Sequence, residues 1–250
     1  MIPSSTPQIL LLAHDQSLAD IQRLNLETLG CQLWQATSFQ QARRLLASKP
    51  LALLIMTRQL PDGDMLGRCQ MLRQEYPNLP LLLLGESDNE ADVVLALEAG
   101  ADDYLLQSCG TLEIRARIRA WLRRGEYIKL PGQQLEFNGL SINSATREVK
   151  AFGRPLQLTA REFDLLLFMA KRPRQVFSRM QLLQGVWGSN YAGYEHTVNS
   201  HINRLRTKLA ACPKSEPIVT TVWGVGYKFS PPEQAITEKA IKKPACGLFY

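Results

Sequence analysis

Residues 51–56 read LALLIM, six apolar residues in succession with nothing polar among them. A run that short and unbroken suits a strand covered on both faces, because a strand with one wet face would alternate. The same signature stands before it in QILLLA (8–13) and after it in LPLLLL (79–84). Between these runs the spacing turns helical. Ile21, Leu24, Leu26 and Leu29 recur at helix period, and Gly30 stops them. After a short strand, CQLWQA (31–36), Ala42, Leu45, Leu46 and Ala47 mark a second helix. A Pro/Gly loop, LPDGD (60–64), precedes a helix over about 66–75. Another helix follows Asn89 and is closed by Gly100, and the strand DYLLQ (103–107) leads into a last helix over 111–123. Five strands alternating with five helices predict an α/β domain over 8–123. Its parallel doubly wound sheet would carry any site at the carboxyl ends of the strands.

From Gly132 the pattern changes. LEFNGLSINSATREVKAFGRPLQL (135–158) holds short strand-like runs broken by Asn-Gly, Asn-Ser and Gly-Arg-Pro turns, the mark of an antiparallel meander. Thr159-x-x-Glu162 is a capping box opening FDLLLFMA (163–170), and Ser178 can cap MQLLQGVWG (180–188). A third helix runs over about 196–211, and IVTTVWGVGYKF (218–229) reads as two strands around a Gly-x-Gly turn. Strands, three helices and a hairpin, in that order, predict an α+β winged helix over 133–230, joined by a linker at 124–132. Residues 231–250, with Pro-Pro at the start and no apolar period, read as a mobile tail.

The 250 residues are 45% hydrophobic and 21% charged, which excludes wholesale disorder, and no apolar run reaches the ~18 residues of a membrane span. The start, MIPSSTPQ, lacks the basic and apolar regions of a secretory signal. Five dispersed cysteines (Cys31, Cys69, Cys109, Cys212, Cys246) without a CxxC fit reduced thiols in a cytoplasmic protein, with no disulfide or metal role. The net charge of +6 is unevenly placed. Residues 1–123 hold 11 Lys+Arg and 14 Asp+Glu, a balance of −3, and residues 124–250 hold 18 and 9, a balance of +9. A basic module behind an acidic one points to a polyanion as the partner of the second half, the alternative being a solvated basic face. No nucleophile–base pair, P-loop or metal-ligand cluster stands out, so neither an enzyme nor a cofactor or metal is expected.

The helix over 196–211 carries its own functional reading. At ~100° per residue, Val198, Ile202, Leu205 and Leu209 fall on one core stripe. His196, Ser200, Asn203 and Thr207 lie opposite, flanked by Asn199 and Arg204. Amides can read adenine bidentately and Arg can read guanine, so this face suits the major groove.

Several strings together resemble one family. LEAGADDYL (97–105), LTAREFDLL (158–166), VWG (186–188), HTVNSHINRLRTKL (196–209) and TVWGVGYKF (221–229) are similar to the response regulators of the OmpR/PhoB type, a receiver joined to a winged-helix DNA-binding domain. The resemblance spans roughly residues 8–230. It implies a two-component transcription regulator, dimeric on promoter DNA and in touch with RNA polymerase through the loop at 185–195, where Tyr191 and Tyr194 supply contact area or cover the core. It also implies that Ser200, Asn203 and Arg204 fall at base edges, that Trp187, His196 and Arg206 fall near phosphates, and that Thr221, Tyr227 and Lys228 of the wing hold phosphate. Asn199 and His196 replace charged residues of the family's helix. Trp223 replaces the wing arginine that enters the minor groove, so a different sequence preference is expected.

The receiver of that family is switched by phosphate on an aspartate, with Mg²⁺ held by an acidic pair. Here the first strand ends in His14-Asp15, Thr57 stands at the aspartate position, Gly85 replaces a Thr/Ser and Gln107 replaces a Lys. Threonine lacks the attacking carboxylate, and Gln107 supplies no positive charge. A pseudo-receiver that is not phosphorylated in the usual way is expected, which argues against a cognate histidine kinase. Asp62 or Asp64 as substitute acceptor is the competing reading. In the family, Asp102, Asp103, Glu113 and Arg117 belong to a dimer face built from the fourth helix, fifth strand and fifth helix, with Asp103 and Arg117 paired across it. The alternative function is an adaptor that docks a protein through its receiver, with DNA binding secondary.

Overall fold

The computed structural model describes residues 6–58, 63, 65–127, 134–188, 196–210 and 217–231. The expectations for Asp62, Asp64, Tyr191, Tyr194 and residues 232–250 lie outside the described residues, as does most of the expected linker.

The first half builds β1 (Gln8–Leu12), α1 (Gln16–Glu27), β2 (Gln32–Ala36), α2 (Phe39–Ser48), β3 (Leu51–Thr57), α3 (Met65–Glu75), β4 (Leu81–Gly85), α4 (Glu90–Glu98), β5 (Asp103–Leu106) and α5 (Thr111–Tyr127). The strands are parallel in the order β2-β1-β3-β4-β5. Alternate residues of each strand enter opposite cores, which is why the runs are apolar throughout. Leu10, Leu12, Leu54, Met56, Leu81 and Leu83 meet α2, α3 and α4 on one side. Ile9, Leu11, Leu53, Ile55, Leu82 and Leu84 meet α1 and α5 on the other.

Two local expectations are corrected. Ile21 and Leu24 do not face the core: α1 turns Leu18, Ala19, Gln22, Asn25 and Leu26 inward and leaves Ile21 and Leu24 exposed. The polar pair is tolerated because Asn25 donates to Gln22 (3.4 Å) and accepts from Arg115 Nε of α5 (3.1 Å). Also, α5 does not stop at Arg123 but continues to Tyr127, four residues into the expected linker.

The second half holds an antiparallel sheet β6-β7-β8-β9 (Gln134–Phe137, Leu140–Asn143, Glu148–Ala151, Arg154–Pro155). It continues as α6 (Ala160–Ala170), β10 (Val176–Ser178), α7 (Arg179–Trp187), α8 (His196–Ala210), β11 (Val219–Val222) and β12 (Gly226–Phe229). The Thr159/Glu162 capping box is formed, and a second one joins Ser178 to Gln181. The stripe Val198, Ile202, Leu205 and Leu209 is buried in one core with α6, α7 and the wing strands. The strand β10 had no sequence signal of its own. It pairs with β12, and Gly226 permits this because a side chain there would collide with the Phe177 carbonyl.

Candidate functional site

The helix α8 and the β11–β12 hairpin are tied together by side chains. Arg206 donates through Nε to the Val219 carbonyl (2.8 Å) and through a terminal nitrogen to Thr221 Oγ1 (2.7 Å). The Tyr227 hydroxyl donates to Asn199 Oδ1 (2.8 Å), which also accepts from Arg179 Nε (3.0 Å). The Arg179 and Arg206 guanidiniums lie over the Tyr227 ring, at 5.5 and 5.2 Å from its centroid. Thus Asn199, Arg206, Thr221 and Tyr227 meet in one constellation, although Tyr227 is itself buried. Arg179 belongs to it and was missed, since a contact across twenty residues leaves no periodic trace. Asn203 and Thr207 are exposed on α8, and Lys228 is half-buried on β12. Trp223 is 91% exposed at the tip of the wing.

The remaining expected DNA contacts do not share that open surface. The helix α8 packs along α4 of the first half, which covers part of its outward face. Ser200 is buried there, and Trp187 is buried beside His201, its ring 5.4 Å away. Arg204 points at the other half of the molecule: a terminal nitrogen donates to the Ala101 carbonyl (3.4 Å) and also meets His201 Nδ1. Its Nε lies 3.6 Å from Glu162. Burial pulls the Arg204 guanidinium below its ordinary value, against the opposing pull of Glu162 and Asp102. His196 reaches Glu90 at the start of α4 (2.9 Å). Nearby, Arg161 is buried with its guanidinium 3.8 Å from the Trp121 ring centroid of α5 and 4.6 Å from that of Trp187.

The expected dimer face is accordingly occupied within the chain. Asp102 is fully buried, bound to Arg73 (2.6 Å) and accepting from the Leu81 backbone N–H (2.9 Å). Asp103 is buried and pairs with Arg117 of its own chain (3.4 Å), and Arg117 also meets Glu113 (2.7 Å). The reason is local: β5 starts at Asp103, so Asp102 just before it and Asp103 at its head lie against Arg73 of α3 and Arg117 of α5.

At the carboxyl ends of the strands, the altered residues do gather as the topology requires. Thr57 is buried, and its hydroxyl donates to the Leu12 carbonyl (3.4 Å). The Asp15 carboxylate caps α1, accepting from the Ser17 and Leu18 N–H groups (2.8 and 3.4 Å). His14 is exposed. Gln107 is held by its backbone N–H on the Gly85 carbonyl (2.7 Å). Gly85 has a further role, since the Tyr104 hydroxyl occupies the space a side chain there would need, and it donates to the Ser87 carbonyl (2.7 Å). Next to Thr57, Arg58 pairs with Asp92 of α4 (2.8 Å), and hydrogen bonds from Arg58 and Ser87 hold the Asp92 carboxyl below its usual range.

Comparisons with known proteins agree with this division. Residues 9–119 match the model of the response regulator receiver domain, and residues 153–229 match that of the C-terminal domain of transcriptional regulatory proteins. The chain is 36% identical to the transcriptional regulatory protein AfsQ1 of Streptomyces coelicolor, over 91% of this chain and 100% of that one. It is 36% identical to the DNA-binding response regulator MtrA of Mycolicibacterium smegmatis, over 90% of this chain and 97% of that one. A solved structure of a RitR mutant superposes with a TM-score of 0.71 at 24% identity, covering 90% of this chain and all of that one, which supports the fold. Among the described residues no helix is long and apolar enough to cross a membrane. The chain belongs to the OmpR/PhoB-type two-component response regulators, a non-enzymatic family that pairs a receiver with a DNA-binding transcriptional regulatory domain.

Proposed function

We propose that this response regulator binds specific double-stranded promoter DNA as a cytoplasmic transcription regulator whose receiver works without aspartyl phosphate. The observation that carries the DNA reading is the constellation joining α8 to the wing. Arg206, Thr221, Asn199 and Tyr227 hold the helix and hairpin as one rigid reader. Asn203 and Thr207 then face outward for base edges, and Trp223 stands ahead of the hairpin. Ser200, Arg204, His196 and Trp187 join that surface only when α8 leaves α4.

The receiver reading rests on how the pocket residues are already engaged. Thr57 offers a hydroxyl directed at Leu12, Asp15 is used as a helix cap, and Tyr104 fills the space beside Gly85. Among the described residues, the side chains there do not fit an aspartyl phosphate with its Mg²⁺. Release of α8 also uncovers the α4–β5–α5 face for a second copy of the chain, and the dimer presents two readers to a repeated half-site and to RNA polymerase.

Selection of full-length protein on random-sequence DNA tests the first part. Enrichment of a repeated half-site is expected, and weak, salt-labile, sequence-blind retention refutes it. Incubation with acetyl phosphate and Mg²⁺ tests the second. No phosphoryl adduct is expected, and a stable one overturns this account of the receiver.

A further inference from the structure

The contact between α8 and the receiver is centred on one imidazole. His201 is fully buried, lying between α8 and the turn that precedes β5. Its Nε2 is 3.2 Å from the Asp102 carbonyl oxygen, an atom that can only accept. Its Nδ1 faces a terminal nitrogen of Arg204, which can only donate. These two partners fix both ring nitrogens. Nε2 must carry the proton and Nδ1 must be bare, so the ring is neutral in the closed molecule. The Trp187 ring covers one side of it.

The described charges around this contact are weighted toward cations. From α8 itself come Arg204 and Lys208, and Lys208 is bound to Glu162 of α6 (2.6 Å). From α6 also comes Arg161, stacked on Trp187. From the receiver come Asp102 and Arg73, already paired with each other, and Cys69, whose thiol burial pushes up to about 12 and so keeps uncharged. Among the described residues, four cations and two carboxylates thus stand around the contact before His201 gains a charge. At the edge of this contact lies the exposed pair His196–Glu90, which protonation strengthens and which therefore works in the opposite sense. Being open to solvent, it is the weaker of the two effects.

We propose that His201 is a proton-sensitive latch: acidification releases the DNA-reading helix from the receiver. A proton added at Nδ1 turns that atom from acceptor to donor, so it faces the Arg204 guanidinium with like charge and no lone pair between them. Arg204 must swing away, taking with it the hydrogen bond to Ala101, and the imidazolium is pulled toward water. An imidazole in water takes up its second proton near pH ~6.5, so the closed form loses ground as the pH falls through that range. The structural effect stands on the domain contact alone. Its consequence for DNA rests on the reading proposed above for α8.

Small-angle scattering of the full chain at about pH 8 and about pH 5.5, with circular dichroism alongside, tests the latch without any DNA. The chain has three histidines, so the assignment is tractable. For the wild type, the radius of gyration is expected to rise on acidification, on the order of 3 Å, with unchanged secondary structure. His201→Gln should stay compact at both values, and His196→Gln should open like the wild type. A wild type that stays compact, or a His201→Gln variant that opens as the wild type does, overturns the proposal. Should His201→Gln fail to fold, the imidazole nitrogen shifts of the wild type decide. Protonation of His201 Nδ1 in step with the expansion upholds the latch, and protonation without expansion refutes it. Loss of DNA binding at both pH values, with the expansion intact, would instead count against α8 as the reader.

Discussion

Replacing Gly85 by alanine probes how the receiver pocket is filled. The backbone at Gly85 is not in the left-handed region, so the conformation itself tolerates a side chain, and alanine would ordinarily gain roughly 0.5–1 kcal/mol over glycine in a strand. The obstacle is Tyr104. A Cβ at position 85 would overlap its hydroxyl oxygen and stand 2.6 Å from Cε2. Because the ring is buried, it has to shift, which costs about 1–3 kcal/mol as overpacking. The hydrogen bond to the Ser87 carbonyl goes with it, about 1 kcal/mol more. Set against the backbone gain, Gly85→Ala should destabilise by about 1–3 kcal/mol. Urea unfolding of Gly85→Ala, Tyr104→Ala and the double variant checks this. Removing the ring removes the collision, so the double variant should cost less than the two single changes together by about 1–3 kcal/mol. Gly85→Ala as stable as the wild type, or a cycle additive within about 0.5 kcal/mol, would show that Tyr104 does not fill that space.

Trp223→Ala should leave the melting temperature within the effect of about 0.5 kcal/mol while weakening retention of selected DNA in a gel shift, because the side chain is 91% exposed and touches nothing that holds the fold. Asp102→Ala should cost about 3–5 kcal/mol by urea unfolding, since it strands the Arg73 guanidinium and the Leu81 N–H. Burial, with Glu113 adding to it, pushes the Cys109 thiol up to about 11. At about pH 8 roughly one molecule in a thousand carries the thiolate, rising tenfold per pH unit toward about 11. Mass-mapped alkylation of the native protein should therefore be slow at the half-buried Cys109 and accelerate with pH, and fast labelling at about pH 8 would contradict that upward shift.

The architecture was legible because its signals are local. Unbroken apolar runs gave the parallel strands, a capping box at Thr159 and a cap at Ser178 placed α6 and α7, and the stripe from Val198 to Leu209 oriented α8 in its own domain. What escaped was set by contacts between distant residues. Ile21 and Leu24 keep helical spacing, yet α1 buries Leu18, Ala19 and Leu26 instead, with Asn25 satisfied by Arg115 of a distant helix, so that they face water. The strand β10 is three residues long and exists because β12 offers it a partner. For the site, residue types singled out two surfaces, but the neighbours of Ser200, Arg204, Asp102 and Asp103 belong to the other half of the chain or to another helix. No periodicity within one element records that α8 lies on α4, or that Arg161 sits between Trp121 and Trp187.

That contact makes two uses of one surface compete. Ser200, His201 and Arg204 cannot face the receiver and a DNA groove at once, and α4 cannot cover α8 and receive a second receiver. On the proposed reading, apparent DNA affinity is scaled by the open fraction: a closed-to-open ratio of about 100 would weaken binding about a hundredfold, whatever the quality of the reader itself. In a receiver switched by phosphate, that ratio is set at the carboxyl ends of the strands. Here the link from that end to α4 is still in place, through Arg58 and Asp92, but Thr57 beside it holds only a hydroxyl directed at Leu12. On the proposed reading of the receiver, control of the ratio falls to groups at the contact itself. Of the two imidazoles there, His201 is the buried one, and the latch proposed above places that control on it.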